Sequence, residues 1–561
     1  MKKTYFSLFP LMVLFIIGCE SDVKETAPPV ASTTRNLKID LNTDRQTMEG
    51  FGASDGWQCQ FIGKNWPLEK RNQMADLLFS KQVDLDGNPK GIGLSLWRFN
   101  LGAGSAEQGE DSFINDEWRR SECFLNADGT YNWDKQAGQR WFMKAAKSRG
   151  VEKILAFTGS PPVHFTKNGK AFSNEGSYLN LQSDKYDDLA DFWVRCIENI
   201  KAKDGVDIDY ISPINEPQYD WNPAADGWAG QEGTAARNSE IYNLVSSISQ
   251  KLKERGSNSQ IVLGEAAAYD CLYKEMTGQT GRSNQIDYFF GVNSMKSIAA
   301  MSNVKKTISG HAYWQVWPLN EQISSRELVA SRVKSVPGLS LWETEYCVME
   351  SPGTTEIPGG SGPGRDLGMQ TALWVARIIS NDIAVANVTS WQWWVGISRG
   401  DYKDGLLHVD DGASAGHSWG DANYCKNDGT IRETKILWAF GNFSFFVKPG
   451  MIRVQIPDQN YLSASTDVML TAYKDVSSKK LVIVAVNYGK SARTYQLNLS
   501  GGTLKDNQLI PYTTSATASL KKGAAVKTTS DTASLKKGAV VKADKIEIAA
   551  RSVVTFVGSY N

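Results

Sequence analysis

Short apolar runs alternate with amphipathic segments along most of this chain. The apolar runs have the length of strands, and the segments between them, such as 136–148 and 186–200, have the spacing of helices. Strands that alternate with helices pair in parallel, so eight such runs predict an α/β fold, a (β/α)8 TIM barrel. The runs are 46–54, 93–100, 153–158, 209–217, 260–265, 307–313, 339–346 and 388–394.

The two ends of the chain follow a different pattern. Residues 37–41 alternate like a half-buried strand, and alternating strands such as 480–486 and 552–557 follow a helical segment at 434–447. We therefore expect an accessory β-sandwich built from the N-terminal strand and the C-terminal region. The expected segments are a signal peptide at 1–18, a tether at 19–35, a sandwich strand at 36–44, the barrel at 45–448 and the rest of the sandwich at 449–561.

Segments 517–524 and 532–539 in the C-terminal region are near-duplicates. Two copies are too few for a solenoid, so we interpret them as a duplicated hairpin of the β domain. The repeat predicts no functional role.

The first residues have the features of a bacterial lipoprotein signal. Lys2 and Lys3 precede an apolar run at 6–17, which is too short to anchor the chain as a membrane-spanning helix. The run ends in a sequence that resembles a lipobox, so Cys19 would carry the lipid; a simple secretory signal is the alternative. We expect an outer-membrane lipoprotein that faces the cell surface or the periplasm and contacts the membrane only through its lipid.

The composition excludes some partners and cofactors. Lysine plus arginine and aspartate plus glutamate each number 61, so no basic excess is present to bind nucleic acid. The cysteines after residue 19 are scattered without metal-ligand spacing, which predicts no zinc site and leaves one or two disulfides open. No Walker loop or dinucleotide fingerprint occurs, so the sequence implies no cofactor.

Two of the predicted strands end close to a glutamate. The run 209–217 closes on Asn215 and Glu216 before a proline, which cannot donate to a sheet, and the run 339–346 ends near Glu345. Catalytic groups of a parallel barrel lie at this edge of the strands. A retaining glycosidase needs two carboxyl groups about 5 Å apart, so these glutamates form a candidate catalytic pair.

Two further glutamates compete with this pair. Glu343 shares a strand face with Glu345, so alternation alone cannot choose between them. Because Glu345 is nearer the end of the strand, we interpret Glu343 as a deeper structural acid. Glu265, which ends the fifth strand, is interpreted as a supporting or sugar-binding group.

The strand-end motifs resemble those of glycoside hydrolase family 30, and the resemblance covers nearly the whole mature chain. That family combines a (β/α)8 barrel with a β-sandwich built from both termini. Its fourth-strand Asn-Glu-Pro and its seventh-strand Thr-Glu-Tyr-Cys-Val correspond to 215–217 and 344–348. Other matching positions are 50–52, Arg98, 158–162, His311 and Tyr313. Among the subgroups of the family, 52–57, 391–394 and 401–406 look most like endo-β-1,6-galactanases.

The resemblance implies that Glu216 is the general acid/base and Glu345 the nucleophile. This pairing agrees with the chemistry, because a nearby carboxylate favours the protonated form that an acid needs. The resemblance also implies that Asn215 binds the 2-hydroxyl of the sugar.

Three polar residues would support this pair. The resemblance implies that Arg98 and Tyr313 donate to Glu345, and that His311 bonds to a substrate or catalytic group. Each of the three could instead be a satisfied polar residue of the barrel interior.

The strand-end loops supply further substrate-binding candidates, because aromatic rings stack on the C–H faces of sugars. For each tryptophan, stacking and core packing fit the sequence equally well. We interpret the loop 220–228, which follows Glu216 directly, as the leaving-group side of the site. The candidates are Asp55, Trp57, Trp221, Trp228 and Trp394.

These observations predict a retaining glycoside hydrolase that cleaves β-1,6-linked galactan, such as arabinogalactan side chains, by double displacement. A β-1,6-glucanase or another family-30 β-glycosidase is the alternative among enzymes. A surface glycan-binding lipoprotein without activity is the alternative outside them, although the presence of both glutamates argues against it. We expect a monomer that acts on a β-linked oligo- or polysaccharide.

Overall fold

The computed structural model describes residues 34–174, 176–349, 356–358, 360, 363–413, 421–527 and 541–561. The predicted signal peptide, Cys19 and the second repeat copy at 532–539 lie outside these residues. Within the described ranges, no helix has the length and apolarity needed to cross a membrane. The cysteines at 59, 123, 196, 271, 347 and 425 all fall inside these ranges, are buried, and no disulfide joins any two of them.

The described strands belong to two separate sheets. In chain order the strands are β1 Arg35–Thr47, β2 Gly50–Ser54, β3 Leu96–Asn100, β4 Lys153–Phe157, β5 Tyr210–Ser212, β6 Gln260–Ala266, β7 Val304–Gly310, β8 Ser340–Tyr346, β9 Ser390–Ser398, β10 Gly405–Asp410, β11 Thr430–Glu433, β12 Ile452–Gln455, β13 Val468–Asp475, β14 Lys480–Asn487, β15 Arg493–Ser500, β16 Gln508–Thr514, β17 Lys521–Lys522, β18 Val526–Lys527, β19 Val541–Ile548 and β20 Ser552–Ser559.

Strands β2 to β9 form a closed barrel. Each pairs in parallel with the next along the chain, and β9 also pairs in parallel with β2. This closure confirms the predicted (β/α)8 architecture. Outside the barrel, β10 runs parallel to the end of β9, and β11 is antiparallel to β10.

The α-helices fall mainly between the barrel strands. They are α1 Gln58–Asn65, α2 Leu68–Phe79, α3 Ser105–Gln108, α4 Ala137–Ser148, α5 Tyr186–Asp204, α6 Asn238–Glu254, α7 Asp270–Tyr273, α8 Gln285–Phe290, α9 Leu319–Lys334, α10 Met369–Ala384, α11 Lys435–Ser444 and α12 Tyr461–Ala464. Helix α5 shows why these segments are helical. It has two aspartates in its first turn and lysines in its last, which complement the helix dipole, and Gly205 ends it in the left-handed region.

Two barrel strands end earlier than the apolar pattern predicts. The predicted strand 209–217 is wrong in its second half, because β5 stops at Ser212 and Pro213 cannot continue the ladder. Glu216 has a φ of 44°, which turns the chain, while its N–H still donates to Glu265 O at 2.9 Å. The predicted strand 307–313 is also too long, since β7 ends at Gly310 and the next residues lie in a loop.

The second sheet has the order β17-β16-β20-β14-β13-β12-β1-β15-β19 and encloses its own apolar core. Strand β1 lies within it, antiparallel to β12 and parallel to β15, which confirms that both ends of the chain build the accessory β domain. It continues to Thr47, past the expected boundary after residue 44.

Both faces of this second sheet are covered. On β14, Leu481, Ile483 and Ala485 point into the core of the β domain. Their neighbours Val482, Val484 and Val486 belong to the apolar cluster of the barrel and its helices. Because strand residues alternate between faces, one strand contributes to both cores and joins the two parts of the molecule.

Candidate active site

The carboxyl ends of the barrel strands open into a cavity of about 520 Å³. Glu216 and Glu345 lie in its wall, one in the loop after β5 and the other on β8. Much of the remaining wall is aromatic. The rings in it are those of Trp57, Tyr219, Trp221, Tyr313, Trp314, Trp394 and Tyr402.

The two glutamates in the wall lie close together. An oxygen of Glu216, an oxygen of Glu345 and a ring nitrogen of His311 all lie within 4.8 Å of one another. Glu216 and Glu345 both face the cavity, although they are only 6% and 5% exposed and protein therefore covers most of each side chain.

Arg98, on β3, forms the centre of the polar network under the cavity. Its guanidinium donates to Glu345 Oε2 at 2.6 Å, Asn215 Oδ1 at 3.0 Å and Glu265 Oε2 at 2.9 Å. Tyr313 donates to the other oxygen of Glu345, at 3.3 Å. Both oxygens of Glu345 therefore accept a hydrogen bond, which fixes the orientation of this carboxyl group.

His311 connects Glu216 to Glu265. Its Nδ1 lies 2.8 Å from Glu216 Oε1, and its Nε2 lies 2.9 Å from Glu265 Oε2. Burial disfavours the imidazolium, but the charge of Glu345 and the hydrogen bonds to both other glutamates raise the pKa of His311 to about 10. Burial also opposes the ionised Glu265, yet Arg98 and His311 lower its pKa to about 2.

The pKa of Glu216 is raised above the ordinary value for a glutamate. Burial is the largest cause, and the negative charge of Glu345 adds to it. The hydrogen bond and charge of His311, with the charge of Arg98, act in the opposite direction without cancelling the effect of burial. The two glutamates therefore differ, because the surroundings favour the neutral form of Glu216 and give Glu345 two donors.

Glu343 lies below the cavity and has a separate set of contacts. Its carboxyl group accepts the backbone N–H of Glu345 at 3.0 Å and that of Gln392 at 3.2 Å. Burial and the charge of Asp382 raise its pKa well above the usual value for a glutamate. Glu343 is fully buried, as is Glu265, so both support the wall rather than form it.

Not every predicted substrate-binding residue reaches the cavity. Trp57, Trp221 and Trp394 do, and Tyr313 joins them. Asp55 is completely buried, where its carboxyl group accepts from Asn100 N and Gln139 Nε2 and burial raises its pKa to about 8.

Trp228 packs elsewhere. Its ring lies 5.7 Å from that of Phe113, centroid to centroid, and it is not among the residues that line the cavity. The loop 220–228 therefore contributes its first residues to the wall, and its end packs on the loop that follows α3.

Glu216, His311 and Glu345 are also the only group of three potential metal ligands with closely spaced ligand atoms in the described part of the chain. Hydrogen bonds explain this spacing. Both ring nitrogens of His311 are engaged by Glu216 and Glu265, so the imidazole has no nitrogen left for an ion unless one of these bonds breaks.

A model of a protein family described as O-glycosyl hydrolase family 30 matches residues 34–408, which is more than half of the chain. The chain belongs to this family. The resemblance of the strand-end motifs to family 30 is thereby confirmed.

The chain is also similar to a relative of known name and to solved structures. An endo-β-1,6-galactanase from Hypocrea rufa is 24% identical over 488 residues, which cover 84% of each chain. A conserved exported protein from Bacteroides fragilis has 33% identity and a TM-score of 0.82, over 93% of this chain and 100% of that chain. The catalytic domain of the family-30 xylanase C from Talaromyces cellulolyticus has 20% identity and a TM-score of 0.62. The match covers 94% of this chain and 100% of that chain.

Sequence reasoning missed several residues of the cavity wall. Tyr219 and Trp314 follow Glu216 and His311 by only a few positions, so their distance from the strand ends was a usable signal. Asp404 lies inside the 401–406 motif, but nothing in the residues beside it indicates that its side chain lines the cavity. Arg119, from a short 3-10 helix in the long loop after β3, offers no such signal.

Several residues in the cavity wall, and Glu265 behind it, have strained backbones. The left-handed region costs side-chain-bearing residues about 1–3 kcal/mol, and such positions cluster at functional sites. Here Glu216 is held by the turn that follows it, because Tyr219 N and Trp221 Nε1 both donate to its carbonyl oxygen, at 3.1 and 3.0 Å. The strained residues and their φ angles are Trp57 42°, Glu216 44°, Trp221 53°, Glu265 39° and Trp314 67°.

Proposed function

We propose that the chain is a retaining β-glycosidase with Glu216 as general acid/base and Glu345 as nucleophile. The observation that carries this proposal is the presence of an oxygen of each glutamate within 4.8 Å of the other. Retaining enzymes hold their carboxyl groups about 5–5.5 Å apart, whereas inverting enzymes leave about 6.5–9.5 Å for a water molecule. The short separation favours double displacement.

In the first step, Glu345 Oε attacks the anomeric carbon while Glu216 gives its proton to the leaving glycosidic oxygen. The C–O bond breaks, the leaving chain departs as an alcohol, and the sugar stays on Glu345 as an ester. In the second step, the Glu216 carboxylate takes a proton from water. The resulting oxygen nucleophile displaces Glu345, so the sugar leaves with its original anomeric configuration and Glu216 is protonated again.

The polar network supports both steps. Arg98 and Tyr313 orient the attacking carboxyl group through their hydrogen bonds to its two oxygens. Burial supplies Glu216 with the raised pKa that a general acid needs near neutral pH. Asn215, held by Arg98 at 3.0 Å, lies beside the acid and is proposed to bind the 2-hydroxyl of the sugar.

For the substrate, we propose β-1,6-linked galactan. The support is the similarity to the endo-β-1,6-galactanase from Hypocrea rufa, which extends over 84% of this chain. The aromatic wall agrees with a carbohydrate, because rings such as Trp57 and Trp394 stack on the C–H faces of sugars.

The test is hydrolysis of β-1,6-galactan and β-1,6-glucan by the wild type and by Glu216→Gln and Glu345→Gln, with the anomer of the first product followed by NMR. We expect galacto-oligosaccharides that are released first as the β anomer, and almost no product from either variant. Release of the α anomer would refute the retaining mechanism. Activity on β-1,6-glucan alone would refute galactan as the substrate and keep the mechanism. Binding without hydrolysis of any β-glycan would indicate a glycan-binding protein.

We also propose that the protein is exported and lipid-anchored through Cys19 in the outer membrane. The support is the lipobox-like sequence around Cys19 and the 33% identity to a protein described as exported. We expect the wild type to partition into detergent with the membrane fraction, and Cys19→Ala to appear in the soluble fraction or as unprocessed precursor. Soluble wild-type protein would refute the anchor.

A further inference from the structure

Two exposed aromatic side chains lie together at the mouth of the cavity. Tyr219, in the loop after β5, is 38% exposed, and Trp314, in the loop after β7, is 51% exposed. Both line the same cavity as Glu216 and Glu345. Aromatic rings that are exposed side by side at a cavity offer flat apolar faces on which a sugar can stack.

The two rings are fixed in place by their neighbours. Trp314 Nε1 donates to the hydroxyl oxygen of Tyr219 at 2.7 Å. The ring of Trp221 packs edge-on against Tyr219, with centroids 5.7 Å apart. Trp221 is in turn wedged against Gly233, where an added Cβ would lie 2.3 Å from its ring. A surface built in this way loses little conformational freedom when a ligand binds.

The position of the pair indicates which part of a substrate it would meet. Tyr219 N donates to Glu216 O at 3.1 Å, so the pair is attached to the turn that carries Glu216. Another part of the wall consists of Trp57 and Trp394, whose rings lie 5.2 Å apart, with the Arg119 guanidinium 4.7 Å from the Trp57 ring. If Glu216 protonates the leaving oxygen, the leaving sugar lies on the side of Tyr219 and Trp314.

From this arrangement we infer that Tyr219 and Trp314 form a subsite for the first sugar unit on the leaving-group side. The inference rests on the proposed function, in which Glu216 is the acid. The ligand is a neutral pyranose whose C–H face stacks on the rings, since the indole N–H and the phenol oxygen already bond to each other. Such a subsite favours cleavage within a chain over release of a single sugar from a small leaving group.

The test compares a β-1,6-galactotetraose with β-galactosyl fluoride, whose leaving group has no ring to stack. For Trp314→Ala, we expect the ratio of kcat/KM on the tetraose to kcat/KM on the fluoride to fall about threefold to tenfold. Tyr219→Phe, which removes the hydroxyl that accepts from Trp314, should lower the same ratio by a smaller factor. Trp317→Ala is the matched control, since Trp317 is 37% exposed in the same loop and does not line the cavity.

An equal loss on both substrates, or an equal change in the Trp317→Ala control, would overturn the subsite. Binding of the tetraose to Glu345→Gln, measured by calorimetry with and without Trp314→Ala, separates this result from a failure of the proposed function. If the wild type hydrolyses neither substrate but Trp314→Ala still weakens binding severalfold, the surface binds sugar and only the catalytic proposal fails. If Trp314→Ala changes neither hydrolysis nor binding, the subsite is refuted.

Discussion

The buried residues under the barrel cavity and those inside the β domain differ in chemical character. Under the cavity, Arg98, His311 and three glutamates are almost fully buried and are joined to one another by hydrogen bonds. In the β domain, strands contribute residues such as Leu470 and Ile483 to an apolar core. Buried ion pairs add little net stability compared with apolar packing. The first interior is therefore suited to chemistry and the second to holding the molecule together.

The largest effect should come from removing the nucleophile. Glu345→Ala should lower kcat by about four orders of magnitude, because the covalent intermediate cannot form. Added azide should restore turnover and give the α-glycosyl azide, since it attacks in place of the carboxylate. With Glu216→Ala, azide should instead give the β-glycosyl azide from the glycosyl enzyme. The reverse pairing of anomers would exchange the two roles.

Arg98→Met should damage both stability and activity. Loss of the guanidinium leaves Glu265 and Glu345 buried without their cation, which should lower the free energy of unfolding by about 3–5 kcal/mol. Activity should also fall, because Glu345 loses one of its two donors. Denaturant unfolding and kcat measured on folded protein would check both. A variant of unchanged stability would show that water or rearranged protons compensate for the missing charge.

Ile483→Ala should affect stability alone. Ile483 is fully buried in the core of the β domain, so its truncation should lower the free energy of unfolding by about 2–5 kcal/mol. At a temperature where the variant remains folded, kcat should equal that of the wild type. Comparing Ile483→Ala with Arg98→Met tests the contrast between the two interiors. A loss of kcat in Ile483→Ala would contradict this contrast.

His311→Asn should move the pH dependence of activity. A general acid acts when protonated, so kcat/KM falls as the pH rises through the pKa of Glu216. His311 lowers that pKa by its hydrogen bond and charge, and removing it leaves burial less opposed. The alkaline limb of the kcat/KM profile should therefore shift to higher pH. A shift to lower pH would contradict the claim that the charge and hydrogen bond of His311 lower the pKa of Glu216.

The smallest effect is expected at Trp228. Its ring packs against Phe113 and does not line the cavity, so Trp228→Ala should change kcat/KM by less than about twofold. Trp57→Ala, at a ring in the wall, is the matched comparison and should cost more. Equal losses would indicate that the loop 220–228 closes over the substrate.

Much of the fold and part of the candidate site could be predicted from the sequence, wherever the pattern of apolar residues and the residues at the strand ends are sufficient. The barrel, Glu216 and Glu345 follow from apolar runs that end in carboxylates. The end of β5 could not be read correctly, because the apolar pattern continues through Ile214 while Pro213 and the positive φ of Glu216 end the strand. Asp55 and Trp228 belong to the right loops, but their side-chain directions depend on packing against Asn100 and Phe113.

Arg119 marks the limit of such prediction. It reaches the cavity from the long loop between β3 and β4, and its position is set by contacts such as its stacking over Trp57. Nothing in its local sequence distinguishes it from other surface arginines. Residues of this kind are determined by how distant loops meet, which a single sequence does not show.

The place of β1 within the second sheet has a consequence for the order in which the protein can fold. Asp40 on β1 pairs with Gln455 on β12, so the strand leaves the ribosome roughly four hundred residues before its neighbour. At the usual rates of synthesis this corresponds to about 20–80 s during which β1 has no sheet to join, although the barrel that follows it is being completed. The β domain can therefore only close last, around a strand that was made first.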